Sequence, residues 1–341
     1  MQNLPDKTAL ILVNVGTPDA PTTKATRKYL SEFLNDPLVI DIPYLIRKIL
    51  VNLIIVPFRA PVSAKKYKQL WTSKGSPLLS NMNELTLKVQ QIIDDQTDVF
   101  GLMRYGNPSL KKFLEGLQTK NYSSVIIFPL YPQYASSTTG SVKKLANKFH
   151  EKIGQQINLQ FIEHYYNHPA FIDTLAGKVM NQQYRDYDHI VFSYHGLPTR
   201  QVEAMHPGHS PHNCTCKTSM PSHGKKCYLA HCYETTRLLA SKLALTEDSY
   251  STTFQSRLSR NWLRPFTDEA LLNLASSGKK VLVVPASFTA DCLETIVEIE
   301  NEYSELFYSA GGEKLTMTRS LNSDEAWANA IVQIMSDYTH A

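Results

Sequence analysis

Four short apolar runs stand out along the chain: TALILVNV from Thr8, SSVIIFPLY from Ser123, HIVFSYHG from His189 and KKVLVVPAS from Lys279. Each is short, rich in β-branched residues and bounded by turn residues, the pattern of a strand buried on both faces. Between them apolar positions recur at helical spacing, as in residues 108–119 and 233–245. Strand–helix alternation predicts an α/β fold with doubly wound parallel sheets and helices on both faces.

The runs also repeat one another. VNVGTP (13–18) resembles FSYHGLP (192–198), and VIIFPLYPQYASSTTG (125–140) resembles VLVVPASFTADCLET (281–295) in having a strand, a proline and a polar loop. Two similar Rossmann-like lobes explain this, divided near residues 165–185 and taken as 1–170 and 171–341. Ligands of such folds bind beyond the carboxyl ends of the strands. The four loops are therefore expected to converge on a cleft between the lobes. No GxGxxG or GxxxxGK[ST] occurs, so nucleotide binding loses its best support.

Composition narrows the classes. The 341 residues are 43% hydrophobic and 19% charged, ordinary for a globular chain. A net charge of +4 is too mild to indicate nucleic acid. The first residues lack the pattern of a signal peptide. The longest apolar stretch, 45–58, is interrupted by Arg47, Lys48 and Asn52 and is too short to span a bilayer. A cytoplasmic protein is expected. Clustered cysteines in that compartment indicate metal binding rather than disulfides.

Candidate chemistry falls on four segments. His195 follows a strand directly and is placed to face a ligand; with a reference pKa near 6.5, such a side chain accepts protons near neutral pH. Glu294, Glu298 and Glu302 recur every fourth residue, which places them on one helix face, with Asp291 one turn earlier. A row of carboxylates suits the passage of a divalent cation. Residues 131–140 combine Tyr131 and Tyr134 with hydroxyls including Ser137 and Thr138, and Arg104-Tyr105 suits carboxylate recognition. Cys214, Cys216, Cys227 and Cys232 lie within nineteen residues, in a Cys-rich insertion (205–232) without an apolar core of its own. Four thiolates can hold a [2Fe–2S] cluster or zinc; His206, His209, His212, His223 and His231 keep zinc open.

LVNVGTP, FPLYPQYASSTTG, FSYHGLP, FQSRLSRNWLRPFTDE (254–269) and VVPASFTADCLETIVEIE (283–300) together resemble the ferrochelatases, over essentially the whole chain. The resemblance implies two Rossmann-like lobes, with protoporphyrin IX and Fe²⁺ as substrates and protohaem as product. It places the family's catalytic residues on His195 and Glu294, which handle the substrate iron, and its acidic metal or proton path on Glu298 and Glu302. It places porphyrin contacts on Arg104, Tyr105, Trp262 and Val15. An apolar Val15 favours protoporphyrin over coproporphyrin. Cys292 stands where some relatives have His. The family's acidic helix is often locally widened. Members with four cysteines in an internal segment favour [2Fe–2S] over zinc. Residues 42–61 resemble the family's lip over the porphyrin, whose apolar residues suit peripheral contact with the inner membrane. The competing readings are a coproporphyrin ferrochelatase, a cobalt chelatase of the same fold, a porphyrin or haem carrier and a redox-sensing iron–sulfur protein. Oligomeric state is not legible.

Overall fold

The structure is a computed structural model describing residues 7–153, 157–206, 208, 210–211 and 213–339. Its chain forms two compact units. The first is Met1–Tyr131, Ser136–His164 and Ser323–Ala341; the second is Pro132–Ala135 and Tyr165–Asn322.

In the first unit, β1 (Thr8–Asn14), β2 (Thr97–Met103), β3 (Ser124–Pro129) and β4 (Asn158–Phe161) form a four-stranded sheet of order β2-β1-β3-β4. All its pairings are parallel. Residues 9 to 13 of β1 are each fully buried. Successive strand residues face opposite ways, so both faces of the sheet are covered. Ala9, Ile11 and Val13 pack with Leu110, Leu114, Val142 and Phe149 from helices Leu110–Glu115 and Ser141–Ile153. The helical pattern at 108–119 is realised as Leu110–Glu115 followed by one 3-10 turn, Leu117–Thr119.

The second unit repeats the plan. β5 (His189–His195), β6 (Tyr250–Gln255), β7 (Lys280–Val284) and β8 (Lys314–Met317) form a parallel sheet of order β6-β5-β7-β8. β5 thus occupies the place of β1, and β7 that of β3, the pairs that the sequence repeat aligned. Val191, Val281 and Val283 pack with Leu271 and Phe307.

The last helix, Glu325–Thr339, belongs to the first unit, although halves divided at residue 170 place it in the second. Long-range polar contacts hold this end of the chain. Lys88 donates to the Ser323 carbonyl at 2.7 Å, Ser323 donates to Glu84 at 3.0 Å, and Tyr338 donates to the His164 carbonyl at 2.6 Å.

The apolar stretch after residue 43 folds as Tyr44–Ile49, a π-helical turn Leu50–Ile55, and Val56–Leu70. Val51, Val56, Ala60 and Ala64 are buried, while Leu45, Ile49, Leu53, Phe58 and Val62 are exposed. No helix among the described residues is long and apolar enough to cross a membrane.

Candidate active site

His195 ends β5, in register with Gln255 at the end of β6. Its backbone N–H donates to Ser287 Oγ at 3.0 Å, and its carbonyl accepts from the Tyr228 hydroxyl at 2.8 Å. Its ring Nδ1 lies 2.6 Å from the Gly196 carbonyl. A carbonyl only accepts, so Nδ1 carries the proton, and in the neutral ring Nε2 keeps its lone pair. Phe288 and Trp262 stand around the imidazole, with ring centroids 6.2 and 6.4 Å away. Gly196 is required by close packing: a Cβ there would lie 2.6 Å from the Gln255 carbonyl oxygen and 3.2 Å from the Trp262 ring.

Gln255 ties His195 to the acidic helix. Its backbone carbonyl accepts from Gly196 N–H at 2.8 Å, its side-chain oxygen accepts from Ser193 at 2.7 Å, and its side-chain nitrogen donates to the Glu294 carbonyl at 2.9 Å. The helix Leu293–Tyr303 is π-wound throughout. A π-helix is rare beyond one turn and frequent at functional sites. The wider winding turns each residue through a smaller angle than the α form, so positions four apart still lie near one face. Glu294 and Glu298 are half-buried and Glu302 is exposed, so the carboxylates grade outward to solvent. Glu298 accepts from Ser256 N–H at 2.7 Å, from Ser256 Oγ at 2.6 Å and from the Tyr303 hydroxyl at 2.6 Å. Glu298 is thereby oriented.

Asp291 corrects the expected acidic row. It precedes the helix and is buried, accepting from Ser320 N–H at 3.1 Å and the Asn322 amide at 2.9 Å. Its oxygens secure the loop instead of continuing the carboxylate face. Cys292 caps the helix: its backbone N–H donates to Thr295 Oγ1 at 2.9 Å while its side chain accepts from the Thr295 backbone. Burial first, and nearby Glu294 second, push its thiol well above the ordinary range, so at neutral pH it is a capping thiol.

The first-unit candidates lie at matching strand ends. Val15 follows β1 and packs with Tyr29, Val51 and Tyr105. Ser137 and Thr138 lie in a π-helical turn, Ser136–Gly140, and are half-buried. Arg104 and Tyr105 form a pair around Asp36. The guanidinium lies 2.6 Å from the Asp36 carboxylate and donates through Nε to Ser141 at 2.8 Å, and the Tyr105 hydroxyl donates to Asp36 at 2.9 Å. Burial alone raises the pKa of Asp36, but hydrogen bonds from Ser141 and Leu38 N–H, with the Arg104 charge, hold it below its ordinary value. Much of the Arg104 charge is thus already balanced within the unit.

Cys216 lies in the 3-10 turn Thr215–Lys217, which Cys214 caps; Cys227 joins the 3-10 turn Ser222–Lys226 to the helix Tyr228–Lys242, which contains Cys232. Cys232 lies inside that helix, so the loop-like part of the expected insertion ends at Cys227. Cys216, Cys227 and Cys232 are buried and Cys214 is half-buried; all are free thiols. Burial pushes Cys216, Cys227 and Cys232 up, and neighbouring cysteines add to each shift. Cys216 N–H donates to Cys214 Sγ at 3.4 Å. Among the described residues no three His, Cys, Asp or Glu side chains stand in a metal-holding arrangement. The four cysteines lie within nineteen residues, and sulfur is the donor type of zinc and iron–sulfur sites. Of the histidines, His223 lies 3.4 Å from Cys214 Sγ and its ring lies 4.9 Å from that of His206. His231 is committed elsewhere: Nδ1 accepts from Tyr134 N–H and Nε2 donates to the Lys225 carbonyl, both at 3.1 Å. His209 and His212 lie outside the described residues.

Comparison with known proteins decides the family. The Ferrochelatase family model matches residues 7–338. The chain is 40% identical to the ferrochelatase of Coxiella burnetii (strain CbuG_Q212) over 340 residues, covering 96% of this chain and 93% of that one. It is 40% identical to the ferrochelatase of Legionella pneumophila (strain Lens) over 339 residues, covering 96% and 98%. The chain belongs to the ferrochelatase family. Its members are metal chelatases, and this protein is an enzyme of that class. The fold is similar to that of SirB from Bacillus subtilis, solved with Fe³⁺, at a TM-score of 0.54 and 10% identity, covering 97% of this chain and 95% of that one.

Sequence reasoning did not single out Gln255, Ser256, Tyr228 or Tyr303. These side chains organise the ferrochelatase motifs around His195 and Glu298. Their signal was weak because each is a single polar residue in an ordinary context. Only the fold places them beside the histidine and the π-helix.

Proposed function

We propose that this member of the ferrochelatase family inserts Fe²⁺ into protoporphyrin IX to give protohaem, with His195 as the proton acceptor. The observation that carries the reading is the fixed tautomer of His195. Its Nδ1 proton is committed to the Gly196 carbonyl, and Nε2 is the basic position beside Trp262 and Phe288.

The reaction removes two pyrrole protons and adds one divalent cation, with iron remaining ferrous. His195 Nε2 accepts the protons as general base, a contribution of about 10²–10⁴-fold. Glu294 receives protons or presents iron, and Glu298 and Glu302 lead toward solvent. The aromatic rings beside His195 suit a flat apolar macrocycle. Binding energy from remote parts of the porphyrin sustains a ring distorted toward the geometry that admits metal. Arg104, Tyr105, Trp262, Val15, Ser137 and Thr138 contribute porphyrin contacts, and the apolar Val15 favours protoporphyrin.

Cys214, Cys216, Cys227 and Cys232 are the residues that would hold a [2Fe–2S] cluster, which when bound supplies a one-electron couple. The localisation is a cytoplasmic one with contact at the membrane periphery, and the exposed Leu45, Ile49, Leu53, Phe58 and Val62 support the membrane contact.

The test is an anaerobic absorbance assay with protoporphyrin IX and Fe²⁺. Haem bands should grow with the wild type. With His195→Ala they should not, while porphyrin fluorescence still reports binding. Near-normal turnover of His195→Ala would remove His195 from the role.

A further inference from the structure

Glu298 and Tyr303 stand five residues apart on the π-wound helix Leu293–Tyr303. In an α-helix, residues five apart point about 140° away from each other. The i→i+5 bonding of a π-helix stacks them instead. The winding thus delivers the Tyr303 hydroxyl to Glu298 Oε1, at 2.6 Å. Ser256 meets the same carboxylate from just beyond the end of β6. Its backbone N–H donates to Oε1 at 2.7 Å and its hydroxyl donates to Oε2 at 2.6 Å. Ser256 has a φ of 61°, a left-handed conformation uncommon outside glycine, so backbone strain sits where its two donors converge on Glu298.

A carboxylate offers about four lone-pair sites, two on each oxygen. Among the described residues, donors take both sites on Oε1 and one on Oε2. A cation gripped by both oxygens needs a site on each. Oε1 has none to give while Tyr303 and Ser256 hold it. We propose that Tyr303 is a positioning residue: with Ser256 N–H it saturates Oε1 and limits Glu298 to one-oxygen contact with a divalent cation. The consequence is passage rather than storage. A two-oxygen grip of the kind found in calcium sites holds an ion with more bonds than a single oxygen does. The substrate Fe²⁺ therefore moves past Glu298 instead of resting on it. No covalent or redox step is involved; the phenol sets how many oxygens the carboxylate can offer.

The inference rests on the chelatase reading, with Glu298 on the cation path, and the experiment separates the two. The probe is Mn²⁺, a cation suited to carboxylate oxygens, titrated without porphyrin and followed by the electron paramagnetic resonance of the free ion. Binding at Glu298 is the part lost in Glu298→Ala. Tyr303→Phe keeps the ring and frees Oε1, so it should tighten that binding about three- to ten-fold, the size of one competing hydrogen bond. The gain should vanish in the double variant with Glu298→Ala. Ser256→Gly keeps the N–H, suits the left-handed φ and leaves Oε1 saturated, so it should change the affinity by less than about two-fold. Unchanged, weaker or absent Mn²⁺ binding in Tyr303→Phe, an equal gain in Ser256→Gly, or a gain that survives Glu298→Ala overturns the inference. In haem formation, Tyr303→Phe should lower kcat and the Fe²⁺ KM together, about three- to ten-fold, with kcat/KM and the porphyrin KM each within about two-fold. A fall in kcat/KM with the Fe²⁺ KM unaltered is the mark of a merely structural role and overturns it. Should Tyr303→Phe not fold, competition in the wild type decides. One-oxygen contact gives Ca²⁺ no bidentate advantage, so Ca²⁺ and Mg²⁺ should displace the Glu298-bound Mn²⁺ within about three-fold of each other; a larger preference for Ca²⁺ overturns the inference. Wild-type haem formation alongside any of these failures leaves the chelatase reading standing and removes only this inference. A wild type that forms no haem removes the reading itself, whatever the Mn²⁺ titration gives.

Discussion

Val15 and His195 are the same position in two copies of one fold. Each stands at the carboxyl end of the second strand in its sheet order, Val15 just after β1 and His195 as the last residue of β5; each precedes a glycine, and each glycine is followed two residues later by proline. Both glycines press on the end of the neighbouring strand: a Cβ on Gly16 would lie 1.8 Å from the Tyr105 carbonyl oxygen, and on Gly196 2.6 Å from that of Gln255. What differs is how the residue before the glycine is held. Val15 N–H donates to the side chain of its own neighbour Asn14 at 2.8 Å, and its carbonyl accepts from Tyr105 N–H at 3.0 Å. His195 is held by Ser287 and Tyr228, from two other elements. Local and strand-end bonds suffice for an apolar residue. The imidazole that we propose as the proton acceptor is steadied by supporting side chains. The charges differ in the same sense: the first unit balances Arg104 with Asp36 internally, while the second leaves a row of carboxylates grading to solvent.

The sharpest way to break this comparison is to make the two copies alike. His195→Val should cut haem formation by about 10²–10⁴-fold, while circular dichroism shows an unchanged fold. Retained activity would mean the imidazole is not what separates the two positions. Next in size are the glycines. Gly16 has φ of 115° in addition to its contact with Tyr105, whereas Gly196 has only the contact. Gly16→Ala should therefore destabilise by about 4 kcal/mol and Gly196→Ala by about 2 kcal/mol, read from urea midpoints. The reverse order would show that the strand-end approach is not shared.

A pH-dependent effect concerns Asp36. Its folded pKa lies below the unfolded value, so its contribution is fully present above the ordinary carboxylate range near 3.9. That contribution is lost as pH falls through the lowered value. Asp36→Asn should cost about 3 kcal/mol at pH 7 by leaving Arg104 without its counter-charge, and should flatten the acid limb of stability against pH. An acid limb as steep as the wild type's would place the acid sensitivity elsewhere.

The α/β class, the repeat, the family and the four strands at the centre of the two sheets are legible in the residues alone. β1, β3, β5 and β7 each have a strand on both sides, and their apolar runs report burial on both faces. Three of the four edge strands were not legible: Asn158–Phe161 and Lys314–Met317 are four residues long, and Tyr250–Gln255 reads YSTTFQ. A residue pattern reports local periodicity and burial, and an edge strand has less of both. The spacing of Glu294, Glu298 and Glu302 predicted one face, and the family resemblance implied a widened helix. Neither showed that it is π-wound along all of Leu293–Tyr303, nor that Ser256, far along the chain, bonds Glu298 within it. Only the tertiary structure decided that Asp291 secures a loop, that Arg104 meets Asp36, that the last helix joins the first unit, and that Tyr228 reaches His195. Each of these depends on contacts between distant residues, which no local pattern encodes.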